Sequence, residues 1–578
     1  MNKNILHTVK GVAGCLLMAS LAAGCAQEDI DTAPTGGGGM SASSYVSLSF
    51  ASQQSTPTRS NPTGGEQGDG DETGQDYENE IKSAVAFFYQ GSGTDGVNSD
   101  GSTKIMAVAT FNVGSPIEPG NGIDRTYTTT PQQVDLDNGT YNVIVVANPG
   151  TDWWTGKTLT LADVRDYIQA TAWTASGSDY SDFVMTSAAD ATLTLNSNPE
   201  SDPAKATVNV ERMAARLDYK AEASYTCTDP AYTGATVEIT GAALVNNLTA
   251  GSYMLKRVAS TVDGVPTYLG NETPDAGVQT NYVLDPWTAV KTSDNNSFTI
   301  GGEVKTAEDL YGEWFGNISQ DPNYWADYVQ PGIEVSDGTE QWQRIGYTLE
   351  NTTAAEEAGK RYSTGVVFKA KFHPQGVANY QDGETFFAYG TKIYASMEDM
   401  MAGFYGSKFD DLDNITSCAT WGDVKQFITS TLLTNDPSGY NKYLEGLAEG
   451  KDDSETVANA SSLTWGNYML NECGYSKDEN GKVVLDQNDK VTRIALQPYG
   501  TRTYEDATCY YTWWVRHSND NDDTKKGIME YAIVRNNIYK LTVNSVYSLG
   551  GEVPEEESLI VDVYVNDWLL LDNETLPM

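Results

Sequence analysis

Residues 45–60 read YVSLSFASQQSTPTRS. In the first half, Val46, Leu48 and Phe50 alternate with serine and alanine, which is the period of a β-strand with one apolar face. Such a strand needs a sheet and a core to cover that face. The second half is loose and polar, and it contains Arg59, a trypsin-like cleavage point. The stretch therefore predicts a β-fold in which an early strand lies directly before a cleavage point.

The segment before this strand resembles a bacterial lipoprotein leader. A short basic start precedes an apolar run that is too short to span a bilayer as a lasting helix, and the run ends in LAAGC at residues 21–25. In such a box the thiol of Cys25 receives a diacylglyceryl group, and fatty acyl chains such as palmitate complete the anchor. The alternative is an ordinary secretory leader cut near Ala23. We expect a signal peptide over residues 1–24 and an outer-membrane lipoprotein precursor.

The chain is strongly acidic, with 36 Lys and Arg against 79 Asp and Glu and a formal net charge of −43 over 578 residues. Nucleic acids and anionic membrane surfaces both repel such a chain. The charge suits an extracellular protein with a solvated acidic surface, and a specific cation site would need clustered carboxylates. We therefore predict no nucleic-acid partner.

The sequence predicts neither an enzyme nor a bound cofactor. Only His373 and His517 follow the leader, so a histidine metal site or a histidine-activated nucleophile has little material. No nucleophile elbow, phosphate loop or dinucleotide fingerprint occurs. The acidic segment 518–527 is either a hairpin loop or a calcium site. A pair of glycosidase carboxylates stays open, because carboxylates are plentiful and nothing selects two of them.

The cysteines and two tryptophan pairs also leave alternatives open. Four cysteines follow the leader, an even number in an oxidising compartment, so they either form one or two disulfides or remain unpaired core residues. The pairs Trp153-Trp154 and Trp513-Trp514 either pack in cores or stack on sugar rings. The four cysteines are Cys227, Cys418, Cys473 and Cys509.

From Ile81 onward the pattern is mostly β, with many short strands separated by Gly, Asn and Asp. Such punctuation predicts β-sandwiches, each a pair of packed sheets. Helices are expected at 160–170, with Thr160 as the cap, and at 420–433 and 438–450. The predicted division is a flexible linker at 60–80, an N-terminal β-sandwich domain at 81–204 and a C-terminal β-sandwich domain with helical inserts at 205–568.

Several segments together resemble the Bacteroidota fimbrillins, and within them the Mfa-like minor fimbrillins that form fimbrial shafts. The strongest are YYTWWVRHSNDN and the long run that follows it, and the shorter ones support them. The segments are YNVIVVANP (141–149), VERMAARLD (210–218), TGVVFKAKF (364–372), YYTWWVRHSNDN (510–521), GIMEYAIVRNNIYKLTVNSVYSLG (527–550) and VDVYVNDW (561–568).

The resemblance implies a mainly β protein with two transthyretin-like β-sandwich domains that polymerises by donor-strand exchange. It also implies an Arg-specific surface protease that cuts between Arg59 and Ser60. The propeptide 25–59 then carries the lipidated cysteine and a removable strand, whose apolar residues are Val46, Leu48 and Phe50. The alternative for Arg59 is an ordinary linker residue.

The other end of the chain supplies the candidate donor strand, residues 569–578. A strand from one subunit would enter the slot left in the next subunit by β-augmentation. The alternative is a frayed or self-paired tail. The apolar residues of this segment are Leu569, Leu571, Leu576 and Met578.

Together these features predict a structural, non-enzymatic subunit of a cell-surface fimbria that supports adhesion and colonisation. Its expected partners are identical subunits in a homopolymer, accessory tip and anchor subunits, the Arg-specific protease, and a host or bacterial surface receptor. The alternative function is a fimbrial tip or anchor adhesin, or a glycan-binding surface lipoprotein with exposed tryptophans.

Overall fold

Apolar runs with a period of two, broken by turn residues, fold into β-strands along most of this chain. A computed structural model describes it in segments. Several predicted positions lie outside the described residues: the signal peptide 1–24, the lipidated Cys25, the cleavage point Arg59 and Ser60, and the donor residues Leu571, Leu576 and Met578. The described residues are 43–52, 68–91, 103–114, 127–176, 179–259, 267–268, 282–283, 285–287, 297–300, 303–316, 330–336, 340–352, 362–396, 399–400, 412–431, 439–473, 475–477, 483–485, 501–517, 530–552 and 559–569.

The strands of the first part of the chain reach Arg212. They are β1 (Ser43–Ser52), β2 (Gly68–Thr73), β3 (Ser83–Tyr89), β4 (Ala107–Asn112), β5 (Tyr127–Thr128), β6 (Gln132–Asp135), β7 (Gly139–Ala147), β8 (Ile168–Gln169), β9 (Thr174–Ser176), β10 (Asp179–Ser181), β11 (Met185–Ser187), β12 (Ala191–Leu195) and β13 (Ala204–Arg212).

The strands of the second part begin at Ala215. They are β14 (Ala215–Lys220), β15 (Tyr225–Thr226), β16 (Thr236–Val245), β17 (Asn247–Leu248), β18 (Ser252–Tyr253), β19 (Arg257–Ala259), β20 (Thr267–Tyr268), β21 (Tyr282–Val283), β22 (Ser297–Ile300), β23 (Glu303–Thr306), β24 (Phe315–Gly316), β25 (Ile333–Ser336), β26 (Gln341–Thr348), β27 (Gly365–His373), β28 (Phe386–Tyr389), β29 (Lys392–Tyr394), β30 (Tyr475–Lys477), β31 (Val483–Leu485), β32 (Thr501–Tyr504), β33 (Thr508–Trp514), β34 (Asn537–Val546) and β35 (Leu559–Leu569).

Helices are short and few among the described residues. The helix expected at 160–170 is shorter than predicted, and Thr160 caps it: its hydroxyl accepts the Asp163 amide at 3.2 Å, while the Asp163 carboxylate accepts the Thr160 amide at 2.8 Å. No helix of the described residues is long and apolar enough to cross a membrane. The α-helices are α1 (Asp76–Asn79), α2 (Leu161–Arg165), α3 (Ala307–Trp314), α4 (Trp421–Thr431), α5 (Tyr440–Ala448) and α6 (Trp465–Cys473), and the 3-10 helices are Pro230–Tyr232, Leu412–Ser417, Ala460–Leu463 and Glu505–Ala507.

The first sheet has nine strands in the order β4-β3-β7-β11-β13-β1-β5, with β12 beside β7 and β6 beside β1. The nearly continuous apolar runs of β3 and β7 are buried on both faces, as expected of interior strands. One face packs into a core shared with β1 and β13, where Val46, Val145 and Val208 meet. The other face carries Phe87 and Ile144 into a second core under helices α2 and α3.

Two further sheets build the second part of the chain. The second sheet runs β2-β35-β34-β14-β26-β25, and the third runs β15-β16-β27-β33. They share one hydrophobic core, in which Leu217 and Leu541 of the second sheet join Phe368 and Tyr511 of the third. This pair of sheets has the layered arrangement of a β-sandwich. The mainly β fold class is thus confirmed, whereas the count of two transthyretin-like domains stays a prediction.

The chain passes from the first sheet to the second through Met213 and Ala214, between β13 and β14. We expected the change at residue 205. The structure corrects this, because β13 alternates buried and exposed residues along Ala204–Arg212 and pairs with β1 and β11 of the first sheet. The described residues from Ser43 onward form one compact unit.

Two other sequence expectations concern segments between the sheets. The flexible linker predicted at 60–80 is corrected for residues 68–79, which form β2 and α1 because buried side chains hold them.

The helical inserts are confirmed: α4 and α5 lie within the expected segments 420–433 and 438–450. With α6 they surround a small core of their own, which includes Val424, Leu444 and Trp465.

Candidate assembly site

The space between β13 and the pair β5 and β6 is filled by β1, and we name this space the strand slot. Strand β1 is parallel to β13 over seven residue pairs, from Val46↔Ala204 to Ser52↔Val210. On its other side it is antiparallel to β6 from Ser43 to Val46 and to β5 at Ser49 and Phe50. A strand paired on both sides leaves no free edge of its own.

The apolar face of β1 points into the first core. Val46 and Leu48 are 0% exposed and Phe50 is 1% exposed. Burying each of these side chains contributes about 1.5–3 kcal/mol. The three residues predicted for the removable strand therefore lie together in the strand slot as one apolar strip.

Polar groups complete the fit of β1 in the slot. The Leu48 amide donates to the hydroxyl of Thr129 at 2.9 Å, the Thr129 amide donates to the Leu48 carbonyl at 2.9 Å, and the Ser47 hydroxyl donates to the Thr129 carbonyl at 3.0 Å. Near the start of the strand, the Asn198 amide donates to the Ser44 hydroxyl at 3.2 Å. These bonds bridge the interval between β5 and β6, so the centre of β1 is also paired.

The predicted donor segment begins where the described chain ends. Leu569 is the last residue of β35, which pairs with β34 on one side and with β2 on the other. The predicted donor segment therefore starts at the carboxy-terminal end of β35, in the second sheet, whereas the strand slot lies in the first sheet.

A buried cluster of charged residues lies where the first and second sheets meet, and we name it the charged junction. Arg216 binds three carboxylates at once: it lies 3.0 Å from Glu78, 2.8 Å from Asp218 and in contact with Glu72. The second oxygen of Glu72 accepts from the Lys540 ammonium at 2.6 Å. The junction consists of Glu72, Glu78, Arg212, Arg216, Asp218 and Lys540.

Burial and the neighbouring charges shift the pKa values of Arg216 and Asp218 in opposite directions. Burial lowers the pKa of Arg216, but the carboxylates around it outweigh burial and raise that pKa above its ordinary value. Burial raises the pKa of Asp218, although the guanidinium of Arg216 opposes the change. Burial also lowers the pKa of Arg212 to about 9. Removing one member of such a group leaves an uncompensated buried charge, which is strongly destabilising.

Sequence reasoning did not identify the charged junction. The segment VERMAARLD, which carries part of the resemblance, supplies Arg212, Arg216 and Asp218, and the run that contains RNNIYKL supplies Lys540. The two segments are neighbours, because β14 is parallel to β34 from Arg216↔Ile538 to Lys220↔Thr542. The available signal was the presence of charged residues inside strands that are otherwise apolar.

The tryptophans favour core packing over a sugar platform. Trp153 stacks on Tyr167 with ring centroids 4.1 Å apart and on Phe87 at 5.7 Å, and Trp154 is buried. Trp514 packs against the buried Val367 group of the third sheet. Rings occupied by other protein rings offer little face to a sugar.

The described cysteines are free thiols. Cys227, Cys418 and Cys509 are all buried and unpaired, so none of the three forms a disulfide with another. Burial raises the pKa of Cys227 to about 11 and of Cys509 to about 12, which keeps both thiols protonated and unreactive. The side chain of Cys473 lies outside the described residues.

His517 follows the end of β33, as the sequence predicted, and is 1% exposed. Its Nδ1 lies 2.9 Å from the Tyr539 hydroxyl, and its backbone amide donates to the Glu530 carbonyl at 2.8 Å. Burial lowers the pKa of His517 to about 4.

The acidic segment 518–527, the candidate calcium site, lies outside the described residues. Among the residues that the structure describes, no group of three His, Cys, Asp or Glu residues could hold a metal ion.

Residues 502–574 match the family described as "Major fimbrial subunit protein type IV, Fimbrillin, C-terminal". The matched stretch contains β33, β34 and β35, and thus strands of both the second and third sheets. The match confirms the resemblance to the fimbrillins for the carboxy-terminal region of this chain, which is similar to a fimbrillin C-terminal region. That description is of a fimbrial subunit, which agrees with a structural rather than an enzymatic protein. No curated protein matches the chain at a significant level.

Solved structures show remote likenesses. A proposed cell adhesion protein from Parabacteroides distasonis is 12% identical with a TM-score of 0.37, over 91% of this chain and 100% of that one. A fimbrilin from Porphyromonas gingivalis is 13% identical with a TM-score of 0.31, over 92% of this chain and 99% of that one. The tip fimbrial protein Mfa3 of Porphyromonas gingivalis, solved with a C-terminal truncation, is 9% identical with a TM-score of 0.30, over 91% of this chain and 100% of that one.

The first prediction concerns the apolar strip of β1. Leu48→Ala removes a fully buried side chain and should lower the free energy of unfolding of the unprocessed chain by about 2–5 kcal/mol. Ser49→Ala, on the half-buried face of the same strand, should change it by less than about 0.5 kcal/mol. Urea unfolding of both variants measures the difference. Equal shifts would show that the apolar face of β1 does not stabilise the fold.

The second prediction concerns pH. Because the pKa of His517 falls from 6.5 to about 4 on folding, the unfolded chain binds more protons between these values, and stability is lost as the pH falls through this window. The loss attributable to His517 should reach about 3 kcal/mol. His517→Gln should therefore flatten the decline in melting temperature between pH 6.5 and 4. A decline as steep as that of the parent chain would contradict this.

Proposed function

We propose that this chain, whose residues 502–574 match a fimbrillin C-terminal region, is a structural subunit of a cell-surface fimbria that polymerises by protease-triggered donor-strand exchange. The observation that carries the proposal is β1, a strand that fills an interior slot and is connected to the rest of the fold through a segment containing Arg59. Cleavage between Arg59 and Ser60 separates this strand covalently from the mature subunit.

Loss of β1 turns the strand slot into an acceptor. Backbone groups of β13 and of β5 and β6 lose their partners, and the core residues that Val46, Leu48 and Phe50 cover become exposed. Unpaired backbone groups and exposed apolar surface are both unfavourable in water. A strand from another subunit restores both interactions by β-augmentation.

The donor in this proposal is the segment 569–578. It starts at the end of β35 and carries Leu569, Leu571, Leu576 and Met578 as its apolar residues. Each apolar side chain that enters the slot contributes about 1.5–3 kcal/mol, and each main-chain hydrogen bond adds about 0.5–1.5 kcal/mol. Identical subunits joined in this way form a homopolymer.

The precursor and its partners follow from the same scheme. Lipidated Cys25 holds the precursor at the outer membrane until an Arg-specific surface protease removes residues 25–59. Tip and anchor subunits complete the fimbria, which supports adhesion through a host or bacterial receptor. The net charge of −43 makes neighbouring fimbriae repel sideways, whereas strand insertion overcomes repulsion along the axis.

Cleavage alone leaves β1 bound. The buried Val46, Leu48 and Phe50 together contribute roughly 5–9 kcal/mol, and both edges of the strand are hydrogen bonded. A peptide held this firmly dissociates slowly. An incoming donor therefore has to displace β1 rather than enter an empty slot.

The third prediction tests the trigger. Arg59→Ala and Arg59→Lys should both resist an Arg-specific protease and remain lipidated monomers, whereas the control Thr58→Ala should be processed and polymerise like the parent. Electrophoresis of unheated samples measures the ladder of multimers, and amino-terminal sequencing of the polymer should begin at Ser60. A normal ladder from Arg59→Ala would refute the trigger.

The same experiment separates the alternative function. A tip or anchor adhesin would reach the surface and yet form no ladder, because it would not pass a donor strand to an identical subunit. A ladder made of this chain alone, after proteolysis, supports the shaft role.

The fourth prediction tests displacement. After cleavage at Arg59, the fragment that contains β1 should co-elute with the subunit in size-exclusion chromatography and be detected by mass spectrometry. A synthetic peptide NDWLLLDNETLPM, residues 566–578, should speed its release at least tenfold. The matched peptide with Asp in place of Leu569 and Leu571 should not. Immediate release without any peptide, or equal release by both peptides, would contradict displacement.

A further inference from the structure

Strand β2 lies between the proposed cleavage point and the rest of the subunit, and it pairs with the strand that leads into the proposed donor segment. It runs parallel to β35, with Glu72 opposite Trp568 and Thr73 opposite Leu569. Strand β2 is the outermost strand of the second sheet and covers the edge of β35 from Val565 to Leu569. It therefore ends beside Leu569, the first residue of the proposed donor segment.

The sequence of β2 is unsuited to hold this position by itself. It reads GDGDET, with no apolar residue and with two glycines, and its pairing shifts in register between Gly68 and Asp71. Gly and Asp are depleted in strands, and a short edge strand without an apolar face is only marginally stable. Another interaction has to keep β2 in place.

That interaction is the side chain of Glu72. It is 5% exposed, and its carboxylate reaches across the sheet to Arg216 on β14 and to Lys540 on β34, the latter at 2.6 Å. The ammonium of Lys540 also lies 4.5 Å from the ring centroid of Trp342 on β26. Buried charge-assisted hydrogen bonds of this kind are about twice as strong as neutral ones. Glu72 thus ties β2 to two interior strands of the second sheet.

Helix α1 extends the attachment. Glu78 accepts from Arg216 at 3.0 Å, the amide of Gln75 donates to Glu78 at 2.7 Å, and the Asn79 amide group donates to the Gly74 carbonyl at 2.7 Å. Residues 72–79 are accordingly bound to the charged junction through two carboxylates, Glu72 and Glu78, which are six residues apart.

We propose that β2 is a retained anchor: it stays with the mature subunit after cleavage at Arg59, and Glu72 locks it on β35, which fixes the point from which the carboxy-terminal segment departs. The meaning of this anchor for assembly rests on the proposed function. The anchor itself is a property of the monomer, because all its contacts lie within one chain.

The anchor also explains why the last part of β35, from Val565 to Leu569, does not present a free edge. The backbone of β35 follows the apolar sequence LIVDVYVNDWL, and an uncovered edge on such a strand is a template for irregular pairing between copies. A polar strand held by a buried carboxylate covers this part of the edge without adding an apolar surface of its own.

The fifth prediction uses hydrogen exchange of the full-length, uncleaved chain. Glu72→Gln removes the negative charge from the junction and should make the amides of residues 565–569 exchange at least tenfold faster, while β1 and β13 keep their protection. The matched control is Glu80→Gln, the same change at an exposed residue that pairs with Lys82 at 3.3 Å. Unchanged exchange at 565–569 in Glu72→Gln would overturn the anchor.

A second measurement needs no substitution. It tests the anchor even if Glu72→Gln destabilises the whole fold. The parent chain is cleaved at Arg59 with an Arg-specific protease, and exchange is measured before and after. A retained anchor keeps the protection of Gly68–Thr73 and of 565–569 within twofold. Loss of protection at both segments after cleavage would show that β2 detaches from β35 once the propeptide is cut free, and the proposal would fail.

The two proposals fail in distinguishable ways. If the parent chain gives no ladder after proteolysis but Glu72→Gln loosens 565–569, donor-strand exchange is refuted and the anchor stands. If the parent chain polymerises while cleavage strips protection from β2, the anchor is refuted and the polymerisation scheme stands.

Discussion

The double pairing of strand β1 is the constraint on which the first sheet depends. Because β1 lies between β13 and the pair β5 and β6, the sheet is continuous only while some strand occupies that position. The apolar strip of Val46, Leu48 and Phe50 couples the backbone requirement to the hydrophobic core, so that an occupant has to satisfy both. Under the proposed function, in which cleavage at Arg59 cuts β1 from the subunit, the stability of the subunit becomes conditional on a strand that replaces β1.

The crossing from β13 to β14 connects this conditional part to the rest of the molecule. One short segment, VERMAARLD, contributes to the strand slot through β13 and to the second sheet through β14, and its arginines are buried between the two. Arg212 reaches Glu78 and Asn536, while Arg216 reaches Glu72 and Glu78. The charged junction therefore holds together segments from both ends of the chain, and an opening at either sheet would expose buried charge.

The features that sequence predicted well are those set by local pattern. The alternation in YVSLSFA identified β1, and Thr160 as a cap identified the start of α2, because period and capping chemistry act over a few residues. The predicted flexible linker failed at β2, because Gly and Asp read as loop formers and only tertiary contacts make them a strand. The charged junction was missed for a related reason: Glu72, Arg216 and Lys540 are residue types that are ordinarily exposed, and their burial depends on partners hundreds of residues away. The parallel pairing of β1 with β13 could not be predicted from local pattern either, because the topology of the sheet determines which strands become neighbours.

The direction of β1 has a consequence for the shape of any assembly built through its slot. Strand β1 is parallel to β13 and antiparallel to β5 and β6, so the slot has a fixed polarity, and an occupant of the opposite sense would meet the wrong hydrogen-bonding pattern. With segment 569–578 as the proposed occupant, the surface that receives and the segment that enters are different parts of the molecule, which makes the proposed contact head-to-tail and non-self-complementary. Contacts of this kind do not close into a two-fold dimer; unless the rotation closes a ring, they generate an open filament with two unlike ends.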